Sequence, residues 1–257
     1  MITGNLKDGY VKTEHHRGMT TIEFFHPQSN SLPARLLEQL AHAIHGAGND
    51  KETKVIVLRA GGEKAFCAGA SFDELLAVEN AEQGFQFFIG FAHLINAMRK
   101  CPQFIIARIH GKCVGGAVGL AAAADYAIAV HGADIKLSEL AVGIGPFVVG
   151  PAVERKMGLA AFSSLAIDAT MWRSAEWAHR KGLYAELHNS VEEMDEAVHR
   201  LADHLLHSNP HAMALMKEMF WKGTEHWDIL LTERASFSGR LVLSEFSRHA
   251  IQQFKKK

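Results

Sequence analysis

The sequence predicts an α/β fold. Three apolar runs, "KVIVLRA" (54–60), "FIIARI" (104–109) and "YAIAV" (126–130), are each typical of a strand that is covered on both faces. Segments with helical spacing of apolar residues lie between such runs, and this alternation of buried strands with helices indicates the α/β class. The 257 residues, 48% of them hydrophobic, suffice for one large domain or for a core with an appendage.

The elements before and between these strands follow from local patterns. "YVKTEHH" (10–16) and "MTTIEFF" (19–25) flank "RG" and predict a hairpin. "PARLLEQLAHAIHGAGND" (33–50) predicts an amphipathic helix, with a proline in the first turn and glycines near its end. "GFQFFIGFAHLINAMRK" (84–100) predicts a second helix. The apolar face of the first helix consists of Leu36, Leu37, Leu40, Ala43 and Ile44.

The pattern changes after about Val191. The remaining sequence contains two long helical patterns with no strand between them, and it ends in a basic tail that suits a helix carboxyl end. We therefore predict an α/β core over 1–190 and a helical region over 191–257. Because no low-complexity linker separates the two, we expect the helical region to pack on the core or on another subunit.

Composition limits the partners and the location. The formal net charge of −1 gives no general attraction to nucleic acids or anionic membranes, so a small molecule or a protein is the expected partner. The most apolar window, 114–130, is too short to span a membrane comfortably and contains Asp125. The first residues lack an apolar signal core, so we expect no targeting segment. Three cysteines without a CxxC pattern predict a reducing compartment such as the cytoplasm.

Two loops rich in small residues follow two of the buried strands. In "AFCAGASFDEL" (65–75), the small residues Ala68 to Ala70 leave backbone N–H groups free to bind an anion or a carbonyl oxygen at a helix start. In "GKCVGGAVGLAAAADYAIAV" (111–130), Gly115 and Gly116 stand at the start of a small-residue helix. The alternative in each case is an ordinary turn or tight packing. Together, the loops could present two N–H donors to a developing oxyanion.

Glu139 is the candidate acid or base. It follows the strand-like "DIKLS" and precedes a Gly/Pro-rich bend, so its carboxylate could enter a pocket framed by backbone, although a surface position is the alternative. No nucleotide-binding fingerprint of the GxGxxG or GxxxxGK[ST] type occurs in the two loops. The sixteen histidines form no plausible ligand set, so we expect no metal site.

In this order, the three segments resemble the crotonase family, the enoyl-CoA hydratase and isomerase superfamily, over nearly the whole chain. The resemblance implies that the N–H groups of Ala70 and Gly116 are the oxyanion donors and that Glu139 is the catalytic carboxylate. It also implies a CoA site formed by Ala68, Ala70, Ser71, Phe72, Asp73, Gly115 and Gly116.

The resemblance also implies a fold and a ligand. The fold would be a spiral of ββα units whose carboxyl-terminal helical region forms trimers, commonly stacked into hexamers. The ligand would be an acyl-CoA thioester of fatty acid metabolism, with no separate cofactor because coenzyme A is part of the substrate. The two N–H donors would stabilise the enolate that forms when the α carbon loses a proton.

Three departures from the family pattern bear on the reaction. Hydratases of this family usually carry a second glutamate where this chain has Gly119, and a single carboxylate suits an isomerase. Phe147 stands where hydratases often have glycine, and Gln28 stands near a usual basic residue, which predicts a different acyl pocket and a weaker phosphate contact. Hydration, including hydration of a branched or methylglutaconyl-type substrate, stays open, as does a non-catalytic CoA-binding assembly protein. The balanced charge disfavours RNA binding.

Overall fold

The computed structural model describes residues 1–255, so the last two lysines of the predicted basic tail, Lys256 and Lys257, lie outside the described residues. The strands in this range are β1 (Ile2–Asn5), β2 (Gly9–His16), β3 (Met19–Phe25), β4 (Val55–Ala60), β5 (Ala65–Cys67), β6 (Phe104–Ile109), β7 (Lys112–Val114), β8 (Tyr126–Val130), β9 (Ile135–Lys136) and β10 (Glu186–His188). The helices are α1 (Ala34–Asn49), α2 (Phe72–Ala77), α3 (Ala81–Lys100), α4 (Gly116–Ala123), α5 (Gly150–Met157), α6 (Leu159–Ile167), α7 (Ala175–Arg180), α8 (Val191–Leu206), α9 (Pro210–Phe220), α10 (Trp227–Leu241) and α11 (Glu245–Lys255), with a 3₁₀ turn over Leu140–Val142.

The strands form two sheets. The larger sheet has the order β1-β2-β3-β4-β6-β8-β10, and the smaller has the order β5-β7-β9. The predicted hairpin is confirmed, because β2 and β3 pair antiparallel from Tyr10 opposite Phe25 to His16 opposite Met19. β1 extends this hairpin, and sequence patterns did not predict it. From β3 onward the larger sheet is parallel, as the continuous apolar strands require.

Strands of the two sheets alternate along the chain. β4 is followed by β5, β6 by β7 and β8 by β9, and the first two of these pairs are each followed by a helix. This is the predicted ββα repeat. All pairings in the smaller sheet are parallel, so the carboxyl ends of β5, β7 and β9 lie at one edge. The segments that follow these three strands therefore come together, although they are far apart in sequence.

Helices cover the larger sheet. The predicted face of α1 is confirmed, since Leu36, Leu37, Leu40 and Ile44 are fully buried, whereas Ala43 lies at its margin and is half-buried. Pro33 occupies the N-cap position of α1, just outside the first turn.

Within the described part of the chain, no helix combines the length and the hydropathy needed to cross a bilayer.

Residues 191–255 form four helices and no strand, in agreement with the predicted change of pattern. They pack on the rest of the chain, with α8 against β4, β6, β8 and β10, and α10 against α3. The α3–α10 contact is close because two glycines meet there. A Cβ atom on Gly84 would lie 2.4 Å from the carbonyl oxygen of Gly239. The helical region therefore shares the core of the same chain, and the division at 190/191 stays a prediction.

Candidate active site

Glu139 lies three residues beyond the end of β9 and directly before the 3₁₀ turn, with its carboxylate against the backbone of Gly115. A Cβ atom on Gly115 would lie 3.2 Å from Glu139 Oε1. Gly115 also has φ of +56°, a conformation that residues with side chains rarely adopt. Glycine is therefore required there both for backbone conformation and for the approach of the carboxylate.

Burial changes the acidity of Glu139. The residue as a whole is half-buried, but its Oε2 atom is buried and has no hydrogen-bond partner within residues 1–255. Desolvation raises the pKa of Glu139 from 4.5 to about 7, and a hydrogen bond from its own backbone opposes this only in part. A carboxyl group with a pKa near neutrality can both accept and return a proton at physiological pH.

The two small-residue loops meet beside this carboxylate. Gly69, with φ of +84°, abuts the second loop: a Cβ atom there would lie 2.5 Å from the Val114 carbonyl oxygen and 3.3 Å from the Gly116 nitrogen. In the described part of the chain, neither the N–H of Ala70 nor that of Gly116 donates a hydrogen bond. Both donors therefore stay available to a ligand, which is the arrangement that an oxyanion site needs.

An inner cavity joins these groups. It has a volume of about 40 Å³, and Ala70, Gly116 and Glu139 lie on its wall. This volume is the space of roughly three water molecules, so the cavity suits a few acyl atoms without rearrangement. Its other walls are formed by Phe88, Phe91, Ile144, Gly145, Pro146, Phe147, Val148, Val149 and Ser238.

An outer cavity of about 410 Å³ adjoins the inner one, because Ala70 lines both. Of the predicted CoA-site residues, Ala68, Phe72 and Asp73 line this outer cavity. Ser71 is buried instead and caps α2 by accepting a hydrogen bond from the Glu74 N–H at 3.4 Å. The remaining lining residues are Gln28, Ser29, Ser31 and Phe254.

Gln28 contacts the predicted CoA site directly. Its Nε2 atom donates a hydrogen bond of 2.7 Å to Asp73 Oδ2. The weaker phosphate contact expected from Gln28 stays a prediction.

Gly119 is tightly packed. A Cβ atom on Gly119 would lie 2.6 Å from both Cβ and Cγ1 of Val149. Because Val149 also lines the inner cavity, its side chain occupies the direction in which a residue at position 119 would project. An apolar group thus occupies the space into which a side chain at position 119 would project.

Several wall residues were not predicted as site residues. Phe88 and Phe91 lie on α3, in the segment that was predicted as a helix and not as part of a site. Ser238 and Phe254 come from α10 and α11, in the region expected to mediate oligomerisation, and no local signal marks either residue.

Comparisons with known proteins show which family this chain resembles. The family described as enoyl-CoA hydratase/isomerase matches residues 14–255. The chain is 30% identical over 240 residues to a probable enoyl-CoA hydratase of Rhizobium meliloti, covering 92% of this chain and 89% of that protein. It is 30% identical over 200 residues to the mitochondrial methylglutaconyl-CoA hydratase of Rattus norvegicus, covering 76% of this chain and 63% of the relative.

A further relative, a (7aS)-7a-methyl-1,5-dioxo-2,3,5,6,7,7a-hexahydro-1H-indene-carboxyl-CoA hydrolase of Rhodococcus jostii, is 32% identical over 132 residues, and this chain spans about half of its length (51%). Among solved structures, an enoyl-CoA hydratase from Bacillus halodurans superposes with a TM-score of 0.87 over 95% of this chain and 99% of that chain. At 22% identity this likeness concerns the fold.

Proposed function

Because the chain belongs to the enoyl-CoA hydratase/isomerase family, we propose that it transfers protons at the α carbon of an enoyl-CoA thioester. The observation that carries the proposal is the meeting of three groups on one small cavity. Glu139, whose carboxyl group has a pKa of about 7, lines the same 40 Å³ cavity as Ala70 and Gly116, whose N–H groups have no acceptor among residues 1–255.

In the proposed reaction, Glu139 removes a proton from the α carbon of a 3-enoyl-CoA. The electron pair of that C–H bond moves onto the thioester oxygen, which accepts hydrogen bonds from the N–H groups of Ala70 and Gly116. Glu139 then returns its proton to the γ carbon, and the double bond shifts to carbon 2. Atoms and charge balance without a further reactant, and no cofactor besides the CoA of the substrate is required.

The single carboxylate favours isomerisation over hydration. Addition of water needs a group that activates the water and a group that delivers a proton, whereas a double-bond shift needs one carboxylate that moves one proton. Val149 fills the space beside Gly119, and the rest of the wall is almost entirely apolar. Hydration is the second candidate, because two of the relatives above carry hydratase names.

The test incubates the purified protein with matched 3-enoyl- and 2-enoyl-CoA esters in D₂O and follows product mass and double-bond position. Isomerisation shifts the double bond without adding water, whereas hydration adds the mass of water. Glu139→Gln should lower either rate by about 100-fold to 10,000-fold while acyl-CoA binding persists. A wild-type protein that binds the esters but neither shifts the double bond nor adds water would instead support a CoA-binding protein without turnover.

We also propose a homotrimer or hexamer in a reducing, cytoplasmic setting. Helix α9 supports the oligomer because it exposes Leu215, Met216 and Met219, which are 52%, 44% and 63% accessible in the single chain. Exposed apolar patches of this kind mark protein interfaces. Sedimentation that shows a folded monomer at micromolar concentration would remove this proposal.

A further inference from the structure

Ser238 is a polar residue on the wall of the inner cavity to which the proposed reaction gives no role. It lies on α10, is 2% exposed, and forms part of the cavity wall. Among the hydrogen bonds of residues 1–255, none uses its hydroxyl group. Because Ser238 lines the cavity and its hydroxyl group makes no hydrogen bond within residues 1–255, a ligand in the cavity can supply the partner.

Other hydroxyl groups on α10 show the usual solution. Thr232 Oγ1 donates to the Asp228 carbonyl oxygen at 2.7 Å, and Ser236 Oγ donates to the Glu233 carbonyl oxygen at 2.6 Å. A serine hydroxyl group in a helix can form such a hydrogen bond within its own helix without any additional space. Ser238 makes no such bond, although carbonyl groups of α10 also lie one turn before it.

The position of Ser238 is fixed by its neighbour. A Cβ atom on Gly239 would lie 2.5 Å from the Phe85 nitrogen, so α10 sits against α3 at the closest distance that the backbones permit. Ser238 therefore cannot withdraw from the cavity without loss of the α3–α10 contact. Among residues 1–255, the lining residues of the inner cavity other than Glu139 and Ser238 are glycine, alanine, proline or residues with apolar side chains.

We propose that the Ser238 hydroxyl binds an oxygen atom carried on the acyl chain beyond carbon 2, and so selects short, oxygen-bearing acyl-CoA esters over plain hydrocarbon ones. The inference rests on the proposed function, which assigns this cavity to the acyl group. A cavity of about 40 Å³ holds a few atoms only, so an acyl group that enters it comes within reach of both polar side chains. A hydrocarbon acyl group would leave the Ser238 hydroxyl unpaired, and sites with buried polar groups discriminate strongly against such ligands.

The test compares the binding of 3-hydroxybutyryl-CoA and butyryl-CoA by calorimetry. The wild-type protein should bind the hydroxylated ester about 10-fold more tightly, as one hydrogen bond to a buried hydroxyl allows. Ser238→Ala should bring the two dissociation constants within about two-fold of each other, and Ser238→Cys, a weaker donor of similar size, should give an intermediate ratio. Ser236→Ala is the matched control, because it removes a hydroxyl that is already bonded to its own helix and should keep the wild-type ratio.

The ratio of the two dissociation constants separates a loss of selectivity from a loss of stability, since a damaged fold weakens the binding of both esters together. If the wild-type protein binds both esters equally, or if Ser238→Ala keeps the preference, the assignment of Ser238 is wrong while the α-proton chemistry of Glu139 is unaffected. If the wild-type protein binds neither ester, the proposed function fails as well. The two failures are therefore distinguishable in one set of titrations.

Discussion

Glu139→Gln should stabilise the folded protein, and the gain should grow with pH. Burial raises the pKa of Glu139 from 4.5 to about 7, so between these values the folded protein holds a proton that the unfolded chain has released. Stability then falls as pH rises through this window. At about 1.4 kcal/mol per pH unit of pKa difference, the loss is about 3 kcal/mol once the pH is above 7. Glutamine has the same shape and no charge, so the free energy of unfolding of the variant does not fall in this way as the pH rises.

The measurement is urea unfolding of the ligand-free protein at a fixed protein concentration, at pH 5 and at pH 8. The free energy of unfolding of Glu139→Gln should exceed that of the wild type by about 1 kcal/mol at pH 5 and by about 3 kcal/mol at pH 8. Glu52→Gln, in the exposed turn after α1, is the control for loss of a negative charge and should show no comparable gain. A Glu139→Gln gain of the same size at both pH values would show that burial does not raise the pKa of this carboxyl group.

Three further predictions use the same kind of reasoning. The kcat/KM of the wild-type protein for α-proton transfer should rise tenfold per pH unit and level off near pH 7, because only ionised Glu139 accepts a proton. A kcat/KM that stays constant from pH 5.5 to 8 would contradict this prediction. Gly119→Glu should fold only together with Val149→Gly, since a Cβ atom at position 119 would lie 2.6 Å from Val149. The product masses of this double variant should show more water addition relative to isomerisation than those of the wild type. A folded double variant without this increase would refute the role given to the missing carboxylate. Lys217→Met should lower the free energy of unfolding by about 3 to 5 kcal/mol, because it removes the ammonium group that forms a buried ion pair with Asp125 at 2.8 Å. Urea unfolding that shows a loss of less than about 1 kcal/mol would refute this prediction.

The sequence predicts those parts of this protein that local patterns determine. The strands β4, β6 and β8 are continuous apolar runs, and α1 has a single apolar face, so each could be recognised within its own residues. The positions of Ala70, Gly116 and Glu139 came from the resemblance to the family, and the parallel order β5-β7-β9 now gives a physical reason for their meeting. Their catalytic roles stay predictions.

The remaining site residues could not be predicted because they depend on contacts between distant segments. Ser238 joins the cavity only because α10 packs on α3, and that packing depends on Gly84 and Gly239, which are 155 positions apart in sequence. Neither glycine is unusual within its own helix pattern. Val149 likewise excludes a side chain at position 119 only because the fold brings α4 and the start of α5 together, which the sequence does not show.

The small residues at the start of α4 have one common explanation. A Cβ atom on Gly115 would meet the Glu139 carboxylate, one on Gly116 would lie 2.3 Å from the Phe91 ring, and one on Gly119 would meet Val149. Glu139, Phe91 and Val149 all line the inner cavity, so each glycine makes room for a wall of the site. Tight packing and the exposure of a backbone donor are therefore not competing explanations for this stretch. The same absence of side chains that lets the walls approach α4 is compatible with a Gly116 N–H that has no acceptor within residues 1–255.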